Sequence, residues 1–200
     1  FCKEFKISAD FKEGITKSAE YKNKQLALPW CVGGYVKCSK TENQEEVVGV
    51  GVENNIPPKI DGNKKVFKSQ YEAYKSFLSG EFDTLLGTQR DFYRLTNKLN
   101  LGALESCSFE YNNSYSDLVQ YVSIFSDEQS VLTTAKSFIS FLLNDKNQKK
   151  LVDIGMFSVL KKPVYQNTNY EDFEQALLSI RDYGNVFLDD ANRIDMQQKI

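Results

Sequence analysis

The stretch TLLGTQRDFYRLTNKL, residues 84–99, passes from a short apolar segment through a small-residue turn into an amphipathic pattern. Its first four residues are typical of a strand. The apolar residues after the turn recur at helical spacing: Phe92, Leu95 and Leu99. Thr88 and Asp91 are spaced as a capping box, in which a hydroxyl and a carboxylate satisfy free backbone N–H groups at the helix start. The stretch therefore predicts a strand that leads directly into a capped helix.

The same helix start is the best candidate in the sequence for a ligand contact. A helix N-terminus presents free N–H groups and the positive end of a dipole. Gln89 adds an amide, Arg90 a forked donor and Asp91 an acceptor, which suits a polyhydroxylated or zwitterionic ligand better than a phosphate. Neither phosphate motif, G-x-x-x-x-G-K-S/T or G-x-G-x-x-G, is present. The alternative, in which Asp91 only caps the helix and Arg90 is a surface charge, remains open.

Strand and helix patterns alternate along the rest of the chain, which favours an α/β fold. Strands are predicted at residues 47–52, 106–111, 117–125 and 156–160. Helices are predicted at residues 68–80, 126–145, 145–155 and 170–183, with a weaker helical pattern over 8–21. Ser126 and Gln129 fit a second capping box. The apolar face of that helix is formed by Val131, Leu132, Ala135, Phe138, Ile139 and Leu142.

Residues 26–36 are apolar and rich in small side chains, with Pro29 and the pair Gly33-Gly34 as interruptions. They predict a short strand, an irregular crossing and a second strand. A plain hairpin in a core is the alternative. Residues 39–63 are polar and turn-rich, which indicates a linker.

Composition excludes several classes of chemistry. The chain has no His, which excludes a His-based triad, a His-ligated zinc and a His general base. The 25 basic and 27 acidic residues give a net charge of −2, without the basic stripe that nucleic-acid binding requires. No Ser-centred G-x-S-x-G and no metal quartet is present, and no cofactor is predicted. Carboxylate pairs such as Asp189-Asp190 and Glu45-Glu46 lie in polar runs and are interpreted as solvated, although a pair of acids for glycoside cleavage need only meet in space.

The cysteines and the first residues of the sequence give information about the cellular location of the protein. Cys2, Cys31, Cys38 and Cys107 include no C-x-x-C pair, and their spacing leaves disulfide pairing open. No apolar run approaches the roughly 18 residues of a membrane span. The start, FCKEFKIS, lacks a signal-peptide pattern and a Met, so a mature or truncated product with any export signal upstream is expected.

Three segments in order resemble the extracellular solute-binding proteins of ABC transporters, of the sugar-binding, maltose-binding-protein-like type. The segment YKNKQLALPWCVGGYVK, residues 21–37, is similar to the family's Y-x-G-K-x-Y-x-x-P block. YEAYKSFLSGEFDTLLGT, residues 71–88, resembles a later helix and the strand after it. AKSFISFLLNDKNQKKLVDIGMFSVLKK, residues 135–162, resembles the A-x-x-F-x-x-F-L block that ends in Q, G and P. These segments cover about a third of the chain.

The resemblance implies an α/β, periplasmic-binding-protein-like (type II) fold with two lobes that close on a ligand by a hinge motion. It implies a main α/β lobe from residues 1–40 and 81–165, a linker or crossing at 41–65, and a second, reduced lobe from 66–80 and 166–200. Such proteins are about twice as long, and Phe157-Ser158 stands where many relatives have Pro. The lobes are therefore expected to be incomplete.

The resemblance also implies site residues, given that aromatic rings stack on sugars. They are Trp30, Tyr35, Gln89, Arg90, Asp91 and Phe157, with Tyr115 and Asp117 as weaker candidates. The expected function is capture of a small ligand, a sugar or oligosaccharide, for an ABC importer, without catalysis. The expected partners are that ligand and a membrane permease, with no nucleic acid and a monomeric chain. The expected location is extracellular, as a membrane-anchored lipoprotein, or periplasmic. The alternative is a non-catalytic interaction or structural module that has lost a complete pocket.

Overall fold

The computed structural model describes residues 9–40, 47–51, 63–166 and 168–184. Several predictions lie outside these residues. They concern Cys2, Glu45, Glu46, Asp189, Asp190 and most of the linker at 41–65.

Short strands and five α-helices alternate along the described part of the chain. The strands are β1 (Glu20–Tyr21), β2 (Lys24–Gln25), β3 (Leu28–Val32), β4 (Tyr35–Ser39), β5 (Val48–Gly51), β6 (Lys64–Phe67), β7 (Thr84–Thr88), β8 (Ser108–Tyr111), β9 (Tyr115–Ser116), β10 (Val119–Val122) and β11 (Asp182–Tyr183). The α-helices are α1 (Gln70–Leu78), α2 (Gln89–Asn100), α3 (Gln129–Leu142), α4 (Asp145–Lys149) and α5 (Glu171–Ser179). Two 3-10 helices, Ile15–Ala19 and Lys150–Ile154, complete the set.

The described residues form two compact units. Unit 1 contains those within Phe1–Gly33 and Asn113–Asp189, and unit 2 contains those within Gly34–Asn112. The lobes predicted from the sequence, 1–40 with 81–165 and 66–80 with 166–200, have other bounds and stay a prediction.

Unit 2 is built on a five-stranded mixed sheet with the strand order β6-β5-β7-β4-β8. β5 runs parallel to β6 and β7, whereas β4 runs antiparallel to β7 and β8. Both faces of the sheet bury apolar side chains, with Val36, Cys38 and Leu85 almost fully excluded from solvent on one face and Val50 on the other. β3 pairs with β10 rather than with β4, so the strands on either side of Gly33-Gly34 are not a hairpin.

Helix α1 follows from local sequence signals that the structure confirms. Ser69 caps it by accepting a hydrogen bond of 3.2 Å from the Glu72 N–H, and Gly80 ends it in the left-handed region at φ 82°. Its start approaches the end of β5 so closely that a Cβ on Gly51 would lie 2.2 Å from the Gln70 Cα. The glycine is therefore required for this packing.

The described residues of unit 1 combine helices α3, α4 and α5 with sheets of two strands each. β3 pairs antiparallel with β10, with an irregularity between Gln120 and Tyr121, and β9 pairs parallel with β11. Its core contains an aromatic cluster in which the Phe157 ring lies 4.8 Å from that of Phe173 and 5.6 Å from that of Tyr165. With few ladder hydrogen bonds available, unit 1 relies on buried polar side chains.

Gln148 is one of these buried polar side chains, and it joins three segments of backbone by hydrogen bonds. Its amide nitrogen donates to the carbonyls of Trp30 at 2.9 Å and Leu142 at 3.0 Å. Its amide oxygen accepts from the Ser158 hydroxyl at 2.8 Å and the Val159 N–H at 3.0 Å. The side chain thus joins α4 to β3 and to the segment after Gly155, and all four of its hydrogen-bonding positions are used.

Two buried charges anchor further backbone in unit 1. The Glu174 carboxylate accepts from the N–H groups of Val164, at 2.9 and 3.1 Å, and Tyr165, at 3.0 Å. The Lys12 ammonium donates to the carbonyls of Ser158 at 2.7 Å and Leu160 at 2.9 Å. Burial lowers the pKa of Lys12 from 10.5 to about 8, although the Glu174 charge acts in the opposite direction.

Four local predictions were wrong. Residues 156–160 form isolated bridges rather than a strand, and of the described residues in the range 8–21 only the 3-10 helix Ile15–Ala19 is helical. α3 begins after Glu128 without a side-chain cap, because the Ser126 hydroxyl accepts from the nearby Glu128 N–H. Of the predicted α3 face only Ile139 is buried, and Val131 and Phe138 are exposed.

Candidate functional site

The junction of β7 and α2 lies at one edge of the unit 2 sheet. β7 is flanked by parallel β5 and antiparallel β4, so the carboxyl ends of β5 and β7 and the start of β4 share this edge. Tyr35 lies opposite Thr88 in the register, and the Gln89 N–H donates to the Gly34 carbonyl at 2.9 Å. Ligands of open α/β sheets bind outside the carboxyl ends of strands. This edge is therefore the candidate site.

The capping box predicted at the start of α2 is confirmed. The Thr88 N–H donates to the Asp91 carboxylate at 3.0 Å, while the Thr88 hydroxyl accepts from the Arg90 N–H at 3.3 Å. A Cβ on Gly87 would lie 3.0 Å from the Asp91 Cβ, so this glycine leaves room for the carboxylate. The helix start is fixed by local sequence, as the spacing required.

Asp91 is more than a cap, because its side chain is 1% exposed and also binds two residues from outside the capping box. Gln70 donates to it at 3.0 Å from the start of α1, and the Arg94 guanidinium donates at 3.3 Å from the next turn of α2. Burial raises the pKa of Asp91, and the hydrogen bonds from Thr88 and Gln70 and the charge of Arg94 oppose that rise. Asp91 therefore positions the helix start, and its oxygens are already engaged by donors.

Arg94 and two tyrosines of α1 form an aromatic and cationic cluster beside Asp91. The guanidinium carbon lies 5.4 Å from the ring centroid of Tyr74 and 5.7 Å from that of Tyr71. The two rings stack with their centroids 6.5 Å apart. This cation–π arrangement orients the guanidinium towards Asp91. Gln70 lies in no sequence motif and reaches the carboxylate through the packing of α1 on α2, whereas Arg94 is three residues from Asp91 along α2, a spacing at which helical side chains are neighbours.

Gln89 and Arg90 occupy different environments. Gln89 is 5% exposed and therefore lies within the unit rather than on its surface. Arg90 is exposed, and no acceptor among the described residues pairs with its guanidinium. An unengaged guanidinium at the positive end of a helix dipole is a ready donor for a carboxylate or for hydroxyl oxygens. Arg90 is thus the chemically available member of this pair.

Asn112, which the sequence analysis did not single out, also lies at this edge of the sheet. The Asn112 N–H donates to the Tyr35 carbonyl at 3.0 Å, immediately after β8 ends. Tyr35 itself is half-buried. The β4–β8 pairing that aligns the two residues could be inferred only from the sheet order, which no local pattern specifies.

In unit 1, the predicted site residues lie on neighbouring backbone segments. The Val32 and Phe157 backbones exchange hydrogen bonds of 2.9 and 3.0 Å, and the Gly33 N–H donates to the Leu118 carbonyl at 2.7 Å. Trp30, two residues before Val32, is half-buried against a small core cluster of Cys31, Leu151 and Met156.

Phe157, Tyr115 and Asp117 lie at different depths within unit 1. Phe157 and Tyr115 each expose 1% of their surface, so both rings belong to the core as the unit stands. Asp117 is half-buried next to Tyr115. Burial, together with the charges of Asp117 and Asp182, raises the pKa of the Tyr115 hydroxyl. Contact of a ligand with either ring would require the unit to rearrange.

Other kinds of site find no support in the described part of the chain. Among those residues there is no group of three or more His, Cys, Asp or Glu side chains able to hold a metal ion. No helix within the same ranges has both the length and the apolar character to cross a membrane.

Comparisons with known proteins identify the fold. No family model and no curated protein matches the sequence. Among solved structures, the GacH receptor of Streptomyces glaucescens, solved without ligand and with acarbose, matches at 9% identity with a TM-score of 0.58, over 86% of this chain and 64% of that one. A periplasmic thiamin binding protein matches at 12% identity with a TM-score of 0.45, over 96% and 72% of the two chains. An ancestral arginine-binding protein bound to glutamine matches at 12% identity with a TM-score of 0.38, over 68% and 64%.

The likeness to the GacH receptor carries the fold assignment, because the similarity covers most of this chain. The chain spans only 64% of that receptor's length, and the same share of the arginine-binding protein. The predicted fold class is confirmed: the protein has an α/β, periplasmic-binding-protein-like fold.

Proposed function

We propose that this chain captures a small solute outside the cytoplasm for an ABC importer, and that the solute is a sugar or oligosaccharide. The observation that carries the proposal is the fold shared with the GacH receptor, a protein solved in complex with acarbose. The proposed partners are that solute and a membrane permease. We propose that the chain acts as a monomer and without catalysis. Its proposed location is the cell surface, as a lipoprotein, or the periplasm.

The proposed ligand contacts begin with Arg90, which combines exposure, a helix N-terminus and the carboxyl end of a parallel strand. Tyr35, which lies opposite Thr88, is proposed as an apolar surface for a sugar ring. Gln89 and Asp91 are buried, so we propose that they hold the helix start in position for Arg90. In unit 1, we propose Trp30 as a stacking surface, with Asp117, Phe157 and Tyr115 as further contacts if that unit rearranges on binding.

Calorimetry and thermal shift of the purified chain test the proposal. The panel consists of mono- and oligosaccharides, including acarbose and maltodextrins, together with amino acids and thiamin. We expect saturable binding of at least one saccharide, with the ligand recovered chemically unchanged after prolonged incubation. Binding of amino acids alone would overturn the sugar assignment, and release of product from a saccharide would overturn the assignment as a binding protein.

The variant Arg90→Ala tests the candidate site once a ligand is found. Loss of a charge-assisted hydrogen bond costs about 1.5–3 kcal/mol, so we expect the Kd to rise by roughly 10- to 100-fold. Lys98→Ala, in the last turn of the same helix, is the matched control and is expected to leave the Kd unchanged. An equal effect of both variants would remove Arg90 from the site.

The alternative function is a non-catalytic interaction or structural module on the same scaffold. It predicts a folded chain that binds no member of the panel. It also predicts that Trp30→Ala and Arg90→Ala leave binding of any protein partner unchanged. The ligand panel therefore separates the two functions.

A further inference from the structure

Two thiols of unit 2 meet across the β4–β8 strand pair. In the antiparallel register, Cys38 lies opposite Phe109 and Ser39 lies opposite Ser108. Residues opposite each other point to the same face of a sheet, as do residues two positions apart on one strand. Cys107, immediately before β8, therefore lies diagonal to Cys38 on that face. The Cys38 thiol is close enough to Cys107 to affect its pKa as a hydrogen-bond donor.

The two thiols differ in access and in acidity. Cys38 is fully buried under α2, whereas Cys107 is half-buried at the edge of the sheet. The hydrogen bond from Cys38 lowers the pKa of Cys107, and the Lys40 charge acts in the same direction. Burial raises the pKa of Cys38. Cys107 is thus the thiol that solvent reaches and that ionises first, which is the pattern of an attacking cysteine beside a resolving one.

We propose that Cys38 and Cys107 form an intramolecular disulfide when the chain meets a small-molecule disulfide. The Cys107 thiolate attacks one sulfur of that disulfide, which breaks its S–S bond and releases one small thiolate. The Cys38 thiol then loses its proton and attacks the Cys107 sulfur, which releases the second small thiolate. The two protein thiols lose two electrons and two protons in total, and the small disulfide becomes two thiols.

The bond would fasten the edge strand β8 to the interior of the unit 2 sheet. It would close a long loop of chain that contains β5, β6, β7 and both helices of the unit. Closing such a loop restricts the unfolded chain and stabilises the folded one. We therefore expect the oxidised protein to have a Tm higher than that of the reduced protein by on the order of 5 °C or more.

Peptide mapping of the whole chain tests the proposal. The folded protein is incubated with oxidised glutathione, quenched with acid, alkylated and digested without reductant, then analysed by mass spectrometry. We expect a peptide pair that joins Cys38 to Cys107 and is two hydrogens lighter than the separate dithiol peptides. A Cys107–glutathione adduct that persists in the wild-type chain without this pair, or a bridge from either residue to Cys2 or Cys31, would overturn the proposal.

Two variants make the order of steps visible. In Cys38→Ala the resolving thiol is absent, so glutathione is expected to remain on Cys107 in stoichiometric amount. Cys31→Ala removes a buried thiol of unit 1 and is the matched control, in which the Cys38–Cys107 bridge and its Tm rise persist. Absence of any adduct in folded Cys38→Ala would contradict Cys107 as the attacking thiol. If that variant does not fold, the first site of alkylation in the wild-type chain decides the same point, with Cys107 expected.

Discussion

The two units provide hydrogen bonds for their buried backbone groups in different ways. In unit 2, a five-stranded sheet pairs most buried N–H and C=O groups along its ladders, and the main buried charge, Asp91, fastens a helix start. The sheets among the described residues of unit 1 have two strands each, so Gln148, Glu174 and Lys12 supply the hydrogen bonds that a longer ladder would have provided. Buried polar groups must be paired in either case.

The two units are expected to differ in how much stability a single substitution removes. A ladder distributes hydrogen bonds over many residues, so no single side chain carries a large part of them. An anchor such as Gln148 concentrates four hydrogen bonds in one side chain, and its removal leaves several backbone groups without partners. Single polar substitutions are therefore expected to cost more in unit 1 than in unit 2.

The largest effect is expected from Gln148→Leu. The change removes all four hydrogen bonds of Gln148 from the interior of the unit, and we expect a loss of about 3–5 kcal/mol in the free energy of unfolding. Urea unfolding followed by fluorescence measures it, because Trp30 is the only Trp and lies in unit 1. Gln175→Leu, on the exposed side of α5, is the matched control and is expected to change stability by less than about 0.5 kcal/mol. Equal losses would mean that Gln148 is not an anchor.

The next effect is a pH dependence from Lys12. Its pKa is lowered to about 8 in the folded state, so between about pH 8 and 10.5 the unfolded chain binds a proton that the folded chain does not. Stability attributable to Lys12 therefore rises with pH across this window, by up to about 3 kcal/mol.

Urea unfolding of the wild type and of Lys12→Met from pH 7 to 10.5 isolates this effect, because other titrations are common to both chains. We expect the stability of the wild type relative to the variant to increase as the pH rises. A constant difference would show that the Lys12 pKa is ordinary in the folded state.

A smaller loss is expected from Asp91→Ala in unit 2. The variant removes the capping box and the acceptor of Gln70 and Arg94, but it also removes a buried charge, so we expect a cost of about 2 kcal/mol. Hydrogen exchange of the β7 and α2 amides localises the loss. Glu72→Ala, an exposed acid in the first turn of α1, is the control with an effect below about 0.5 kcal/mol. A cost for Asp91→Ala as large as that for Gln148→Leu would contradict the contrast between the units.

The smallest effect is a stabilisation. The Thr96 hydroxyl is buried in α2, and no partner for it is found within the described residues. Thr96→Val keeps the shape of the side chain and removes the unpaired hydroxyl, so we expect a gain of about 1 kcal/mol in urea unfolding. Thr133→Val removes a hydroxyl of α3 that does have a partner, the Gln129 carbonyl, and no gain is expected there.

Much of the candidate site follows from local sequence, and the rest does not. The Thr88–Asp91 box and the strand before it depend on contacts within a few residues, so spacing alone predicted them. Gln70 and Asn112 join the site through the packing of α1 and the order of the sheet. Arg94 reaches Asp91 from three residues further along the same helix. Gln89 and Arg90 were predicted as a pair, yet only Arg90 is exposed, because adjacent helical residues face different directions.

The sequence by itself determined the local elements of this protein. Helix α1 with its end at Gly80, helix α5 and the strand β5 arise from periodicity, caps and turn residues. The helix predicted at 170–183 is shorter in the structure, because it ends at Ser179 and residues 182–183 form β11. Such signals act between residues that are close in the chain, so they can be read without the fold.

Only the tertiary structure decided what those elements meet. It separated β3 from β4 at Gly33-Gly34, buried only Ile139 of the apolar face of α3 and put Phe157 in a core rather than in a strand. It also placed Cys38 and Cys107 diagonally across a strand pair on one face of the sheet. These outcomes depend on strand order and burial between residues far apart in the chain, and no local propensity encodes such contacts.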